Sequence, residues 1–304
     1  MAYYLQFLLI VALVVLASAK VLVQGRCSRT YLTSTRDCIA YNGVLFISTA
    51  TVLVLLFPIG AMDMTTVLFG IAAGITTFLY QVFYTLALRS GPVSLTVLLC
   101  NFNAFLIVGF CILVYRDTIY LTHLIGIAFM ILTLWLSRGE NKGDAEKKTS
   151  LKWCIYLVLA LFSTGFCSII QKYFSVSVHP GDGGATVAFL LVEYLAATLV
   201  SIPVLLLLKK GESDESLRSK WKPLLIYGFL TGVTLALFQR LNMYTMSVTD
   251  GTFMLPTFTG LQSVSMTLVG VVVFRDKLSK RQMLGVLMGV LCVICMNLRL
   301  VALT

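Results

Sequence analysis

The chain has 304 residues, of which 59% are hydrophobic and only 12% are charged, and its mean hydropathy is +0.93. A soluble domain carries about 25% charged residues, so this composition excludes an ordinary soluble protein. A net charge of +10 suggests a nucleic-acid partner in a soluble chain, but here the basic residues stand between apolar runs, and no nucleic-acid partner is expected.

Ten apolar runs, each long enough to cross a bilayer as a helix, follow one another along the chain. Runs of this length exceed the roughly 9–11 residues of a membrane strand, and an open sheet edge could not be satisfied in lipid. The sequence therefore predicts an all-α polytopic membrane protein. The ten predicted transmembrane spans are Tyr4–Val23, Ile39–Ile59, Thr65–Leu88, Val93–Tyr115, Thr118–Leu136, Trp153–Val176, Thr186–Leu208, Leu224–Ser247, Thr252–Phe274 and Gln282–Ala302.

The first run is predicted to be a retained helix, although Ala17-Ser18-Ala19 resembles the small residues of a signal-peptide cleavage site. No basic segment precedes this run, and it is longer than the roughly 7–15 apolar residues of a signal-peptide core. It is also needed to complete the repeat described next.

The second half of the sequence repeats the first. Tyr115-Arg116-Asp117 closes an apolar run and returns about 159 residues later as Phe274-Arg275-Asp276. The glycine pair Gly70-x-x-x-Gly74 likewise returns as Gly228-x-x-x-Gly232. Each half holds five predicted spans, and because five is odd, the second half must enter the membrane in the opposite orientation.

Inverted repeats of this kind are typical of secondary transporters, which bind their solute near the middle of the bilayer between the repeats. The predicted organisation is a first five-helix repeat at 1–137, a polar cytoplasmic linker at 138–151 and a second five-helix repeat at 152–304. The linker is rich in charge and contains two glycines, which is typical of a flexible tether.

The basic residues predict an orientation. Of the 23 Lys and Arg residues, 18 lie in odd-numbered loops, whereas the even-numbered loops and both tails hold only Arg116 and Arg299. Cationic loops stay in the cytoplasm during insertion, so both termini are predicted to lie outside a plasma (inner) membrane. The same charges place the loop between Cys27 and Cys38 in the cytoplasm, where thiols stay reduced, although an outside loop would allow a disulfide there.

On these features the chain resembles the drug/metabolite transporter superfamily, in its EamA-like branch. The features are the ten helices, the five-plus-five inverted repeat, and the [Tyr/Phe]-Arg-Asp turn before a glycine-bearing helix at Leu121–Leu136 and Leu278–Leu298. The resemblance covers nearly the whole chain and implies export or exchange of small metabolites, amino acids or drugs. The family usually has Glu where this chain has Asp117 and Asp276, and its members usually keep both termini in the cytoplasm, the reverse of the orientation that the charges predict.

Ionisable side chains inside the predicted spans are costly, so they are candidates for function. Glu193, near the middle of the seventh span, is predicted to bind a proton or to be the counter-ion of Arg240 in the eighth. An unpaired Arg240 could instead clamp a carboxylate or phosphate with its planar guanidinium. Lys172 and Lys20, at matching places in the two halves, are further candidates for coupling or counter-ion roles, although their long side chains could also reach the membrane surface.

Neutral polar side chains recur at matching positions of the two halves, which predicts a shared central cavity. Asn103 on the fourth span matches Gln262 on the ninth, and Gln81 on the third matches Gln239 on the eighth. Ordinary hydrogen bonding between helices is the alternative interpretation. The predicted substrate-binding residues are Tyr80, Gln81, Tyr84, Asn101, Asn103, Gln239, Arg240, Tyr244 and Gln262.

The predicted function is secondary active transport of a small polar metabolite, an amino-acid-like zwitterion or an organic anion, by alternating access. The expected partners are the solute, the lipid bilayer, and protons or a counter-solute, and the expected state is a monomer or homodimer. A multidrug or quaternary-amine transporter of the same fold, a membrane-embedded lipid-processing enzyme, and a channel or receptor are the alternatives. No catalytic residue, cofactor or metal is predicted, since Cys292-x-x-Cys295 has ligand spacing but no second pair and no nearby His.

Overall fold

A computed structural model describes residues 3–90, 96–97, 100, 103–116, 120–137, 151–208, 213–249, 251–272 and 280–297. Within these ranges the chain folds into ten helices, and each predicted span falls on one of them. The helices are α1 (Tyr3–Thr30), α2 (Thr35–Leu56), α3 (Met64–Ser90), α4 (Asn103–Phe110), α5 (Leu121–Ser137), α6 (Leu151–Tyr173), α7 (Gly183–Leu207), α8 (Ser213–Val248), α9 (Gly251–Val272) and α10 (Lys280–Asn297). Two of them end in a π-helical turn: α4 continues over Cys111–Tyr115, and α6 over Phe174–Val178.

Six helices of the described residues, namely α1, α2, α3, α6, α7 and α8, are long and apolar enough to cross a bilayer. Their boundaries differ from the predicted ones, because α1 continues to Thr30 rather than ending at Val23. Arg26 and Arg29 therefore lie in the last turns of α1 and not in a loop. An arginine side chain is long enough to carry its charge away from the apolar part of a helix. The helix can therefore continue past the end of the apolar run.

Local sequence signals set the starts of α2 and α7. Ser34 caps α2, and its hydroxyl accepts a bond from the backbone N–H of Asp37, whose carboxylate bonds back to the Ser34 N–H in a capping box. Asp182 caps α7 by accepting bonds from the N–H groups of Gly184 and Ala185 at 2.8 and 3.0 Å. These caps end the connections that precede the two helices and fix where each helix enters the bundle.

The apolar core lies where α2, α3, α7 and α8 meet. Its largest fully buried side chains include Phe46 and Tyr194, whose ring centroids are 6.3 Å apart, and Phe189, which stacks on Phe174 at 4.3 Å. Buried aromatic pairs of this kind contribute packing beyond their area. The Phe46–Tyr194 pair joins the first and second halves of the chain, and the Phe174–Phe189 pair packs the end of α6 against α7 within the second half.

The first and third helices run parallel. The Lys20 ammonium lies 5.6 Å from the centroid of the Tyr80 ring, and one turn further along both helices Gln24 donates to the hydroxyl of Thr85 at 3.1 Å. Rising residue numbers on α1 therefore meet rising numbers on α3.

The third and sixth helices run antiparallel. The ring of Phe69, early in α3, stacks on Tyr173 at the end of α6, whereas Phe83, late in α3, stacks on Tyr156 near the start of α6. Since α1 is parallel to α3, α6 runs in the opposite direction to α1.

Glycines allow two pairs of helices to approach closely. A Cβ on Gly74 of α3 would lie 2.5 Å from the carbonyl oxygen of Glu193 on α7. A Cβ on Gly232 of α8 would lie 2.6 Å from the Cβ of Ser48 on α2. The matching glycines thus bring α3 against α7 and α8 against α2.

Contacts between the halves also occur at both ends of the bundle. At one end the ring of Tyr31, after α1, lies 5.6 Å from Tyr227 on α8. At the other end His179 Nε2 lies 3.3 Å from the carboxylate of Asp63, between α2 and α3. Hydrogen bonds from Thr65 and Thr66 hold the pKa of Asp63 well below its usual range, so this carboxylate is ionised when it meets the imidazole.

Cys27 and Cys38, which flank the connection between α1 and α2, are both buried free thiols. The predicted linker at 138–150 lies outside the described residues, and α6 begins at Leu151. Asp117 and Asp276 of the repeated triplets also lie outside the described residues.

Candidate functional site

A polar cavity of about 140 Å³ lies between helices of the two halves. The wall is formed by α1, α3, α4 and α6 to α9. One water molecule needs roughly 10–15 Å³ of such volume, so the space fits a solute of about ten non-hydrogen atoms. Six of the predicted binding residues line it: Tyr80, Gln81, Tyr84, Asn103, Gln239 and Gln262.

Three predicted binding residues are placed differently. The guanidinium of Arg240 packs beside Gly183, at the start of α7, with its carbon 6.0 Å from the centroid of the Phe57 ring, and Arg240 does not line the cavity. Tyr244 is 41% exposed and also lies off the wall, and Asn101 is outside the described residues. Arg240 lies off the wall because consecutive residues of a helix point about 100° apart, and its neighbour Gln239 faces the cavity.

Helix rotation also brings in residues that the sequence analysis missed. On α8, Leu235, Gln239, Asn242 and Met246 share the inner face. These positions follow the spacing of three or four that defines one helix face. The step of three from Gln239 to Asn242 is therefore a sequence signal that places Asn242 on the same helix face as Gln239.

Lys20 places a cation in the wall of the cavity. The residue is only 6% exposed, and its ammonium lies 5.6 Å from the centroid of the Tyr80 ring. Among the lining residues that the structure describes, Lys20 is the one Lys, Arg, Asp or Glu side chain. No ion pair to Lys20 occurs within the described ranges, so a carboxylate in the cavity would be its counter-charge.

Lys172 has a different environment despite its matching place in the repeat. Its ammonium donates to the backbone carbonyls of Met246 at 2.6 Å and Thr249 at 3.2 Å. These carbonyls stand at the end of α8, where the last turn of a helix leaves its acceptors unpaired and favours a positive charge. Lys172 thus binds a helix end and does not line the cavity.

Glu193 lies directly behind the cavity wall and is completely buried. Its carboxylate accepts a bond of 2.6 Å from the hydroxyl of Thr77, and the amide of Gln171 donates to both of its oxygens, at 3.2 and 3.1 Å. The predicted pairing with Arg240 is not formed, since no ion pair joins these two described residues. Thr77 and Gln171 both line the cavity, so they connect it to the carboxylate.

Asp37 is a second fully buried acid, which the sequence analysis did not count beside Glu193. Its carboxylate accepts bonds from the backbone of Thr33 and Ser34 before α2. It therefore completes a helix cap at one end of the bundle, whereas Glu193 lies at the depth of the cavity.

The ten helices of the described residues, six of them long and apolar enough to cross a bilayer, define a multi-pass membrane protein. Residues 151–298 match the model of the EamA-like transporter family, so this half of the chain is an EamA-like domain of the drug/metabolite transporter superfamily. The predicted resemblance is confirmed over these residues. A solved structure titled only "Crystal structure of protein" is similar to the chain with a TM-score of 0.67 and 16% identity, covering 97% of each chain. At this identity the likeness concerns the fold alone. No curated protein matches the chain.

Proposed function

We propose that the chain is a secondary transporter that moves a small carboxylate-bearing metabolite, an organic anion or an amino-acid-like zwitterion, by alternating access. The observation that carries the proposal is the buried Lys20 ammonium in the wall of a polar cavity whose described lining residues include no Asp or Glu. A buried charge is costly unless it is paired, and a solute carboxylate supplies that pair.

The same arrangement disfavours a quaternary amine or cationic drug. Such a solute is recognised by aromatic faces and by acids. Tyr80 and Tyr84 do form an aromatic pair in the wall, with centroids 5.3 Å apart. The ammonium of Lys20 already lies over Tyr80, however, and it would repel a second cation at that face.

Alternating access requires two structural units that rock around a shared site, and we propose that 1–137 and 152–304 are inverted five-helix repeats. The opposite directions of α1 and α6 support this assignment. The glycine contacts support it too, because exchanging the two halves turns the contact of α3 with α7 into the contact of α8 with α2. The family match begins at residue 151, next to the proposed boundary.

The proposal is tested with three solutes of similar size and different charge: L-lactate, L-alanine and choline. Each is small enough for the cavity, so charge is the main variable. We expect L-lactate or L-alanine to raise the thermal stability of the purified protein and to drive counterflow in proteoliposomes. A response to choline alone would contradict the proposal.

Lys20 is then tested by substitution. Lys20→Gln should weaken the binding of the active carboxylate by about 2–5 kcal/mol, because a desolvated charge pair loses one partner, and Lys20→Arg should retain part of it. Arg240→Gln removes a cation outside the cavity and is the matched control, for which affinity should stay at the wild-type value. Equal losses in the two variants, or unchanged affinity in Lys20→Gln with an intact fold, would remove Lys20 from the binding site.

A further inference from the structure

The carboxyl group of Glu193 is buried without a cation. Its hydrogen bonds come from Thr77 and Gln171, with the thiol of Cys167 at 3.8 Å from the same oxygen that Thr77 contacts. Burial favours the neutral acid, whereas donors that point at the oxygens favour the carboxylate. The surroundings of Glu193 therefore stabilise both its neutral and its ionised form.

Cations on the neighbouring helices are directed elsewhere. Lys172 on α6 binds carbonyls at the end of α8, Arg240 on α8 packs at the start of α7, and Lys20 on α1 lies over an aromatic ring. Within the described ranges, no ion pair to Glu193 is formed. Of the described groups, Cys167 and Tyr194 interact electrostatically with Glu193. The helices packed around it carry further titratable or charged groups, among them Tyr41, Tyr80, Tyr84, Lys172 and Arg240.

Two of the donors to Glu193 also face the solute space. Thr77 and Gln171 line the cavity, and the Thr77 hydroxyl and the Gln171 amide both donate hydrogen bonds to the carboxylate behind the wall. A protonated carboxyl group donates a hydrogen bond itself and accepts fewer. Protonation of Glu193 therefore frees at least one of these donors, the Thr77 hydroxyl or the Gln171 amide, to bind an acceptor in the cavity.

We propose that Glu193 is a proton-binding site linked to the solute cavity through Thr77 and Gln171, so that a proton and a carboxylate solute bind cooperatively. The cooperativity rests on the proposed function, since it requires an anionic group in the cavity. The proton enters from the aqueous side to which the cavity is open, binds a carboxylate oxygen of Glu193, and leaves on the other side with the solute. The transport mode is proton–solute symport.

The first measurement needs no solute. Infrared difference spectra of the purified protein, titrated from alkaline to acidic pH, should show a carboxylic-acid C=O band that appears as the pH falls. Glu193→Gln should remove this band, and Asp182→Asn should keep it, because that control removes an acid from the same helix while asparagine caps as well as aspartate. A Glu193 band that is constant, or absent, across the whole pH range would overturn the proton site.

A milder variant, Thr77→Val, tests the same proton site if Glu193→Gln fails to fold. Thr77→Val keeps the carboxyl group and the shape of the site but removes the 2.6 Å donor to it. The infrared band should then appear at higher pH than in the wild type, because the ionised form has lost one of its donors. The same midpoint in both proteins would overturn the proposed link through Thr77.

The second measurement tests cooperativity with L-lactate and L-alanine as probes. Their affinity for the wild type should rise by up to about tenfold per unit fall in pH. Glu193→Gln, which resembles the protonated acid, should bind with an affinity near the acidic wild-type value at every pH. A wild-type pH dependence in this variant would overturn the coupling. If the wild type binds neither probe, the proposed function is overturned. The infrared titration would still decide whether Glu193 is a proton site.

Discussion

Lys20 and Lys172 show how far the environment of one side chain depends on the neighbouring helix. Both lysines are buried and stand at matching places in the two halves. One meets a polar cavity, and the other meets the end of α8. The sequence predicted both as candidates for coupling or counter-ion roles and left open that they reach the membrane surface. The position of a partner helix end is a property of packing that no local pattern carries.

The contacts of Lys172 predict a role in stability. Lys172→Met should lower the free energy of unfolding by roughly 1.5–3 kcal/mol, which is typical for hydrogen bonds to a charged group. The carbonyls of Met246 and Thr249 would lose their donor. Thermal unfolding of the purified protein measures the change, and L-lactate and L-alanine affinity should remain near the wild-type value.

Lys152→Met is the control for this prediction, because Lys152 lies on the same helix with its side chain exposed. Exposed substitutions usually change stability by less than about 0.5 kcal/mol. Similar losses in the two variants would argue against a special role for Lys172.

The candidate site was predictable where two signals agreed. Gln81, Gln239, Asn103 and Gln262 are polar residues inside apolar runs and recur in both halves, and all four line the cavity. Arg240 is charged, unlike these four amides, but a charge alone does not give the direction of a side chain around its helix. A helical-face analysis of α8 separates it from its neighbours, because one residue further along is about 100° further around.

At the scale of helices, the small-residue pairs predict close packing, and the structure gives each one a partner. Gly70 and Gly74 face α7, and Gly228 and Gly232 face α2. The sequence could mark these faces as packing surfaces but not name the helix that covers each one. That choice depends on the arrangement of the whole bundle.

The glycine contacts make a stability prediction. Gly74→Ala and Gly232→Ala should each lower the free energy of unfolding by about 1–3 kcal/mol, the usual cost of overpacking, because the added Cβ would lie 2.5–2.6 Å from atoms of the facing helix. The change is measured by thermal unfolding of the purified variants.

Gly109→Ala is the matched control within α4. No atom of the described residues lies within 4 Å of its added Cβ, and alanine favours the helix over glycine by about 0.5–1 kcal/mol. This variant should therefore be as stable as the wild type or slightly more so. A loss in Gly109→Ala equal to the others would mean that the tight helix contacts do not cause the effect.

At the scale of the whole molecule, hydropathy predicted the order of the ten helices found among the described residues, because long apolar runs have few other solutions in a bilayer. The boundaries were less certain, since α1 extends past its apolar run to include Arg26 and Arg29. These arginines still lie near the end of the bundle that is marked by Tyr31. The longer helix therefore moves the basic residues out of the first loop without moving them to the other side of the membrane.

The inverted arrangement and its orientation lead to one joint prediction. Thr35 and Pro180 are exposed; Thr35 is the first residue of α2, and Pro180 stands just before α7, the second helix of the other half. In a background without reactive cysteines, Thr35→Cys and Pro180→Cys should react with an impermeant thiol reagent from opposite sides of the membrane. The basic residues near Thr35 predict that it lies inside, so only Pro180→Cys should react in intact cells. Thr35→Cys should react after permeabilisation.

The two possible failures of this experiment have different meanings. Labelling of both cysteines from the same side would contradict the inverted repeat, because the two halves would then enter the membrane in the same direction. Labelling of Thr35→Cys alone in intact cells would keep the inversion and reverse the orientation, which would place both termini in the cytoplasm as in most members of the superfamily. The prediction from the loop charges would then be wrong. The opposite directions of α1 and α6 would stand, because they rest on contacts between helices and not on the side of the membrane that each helix end faces.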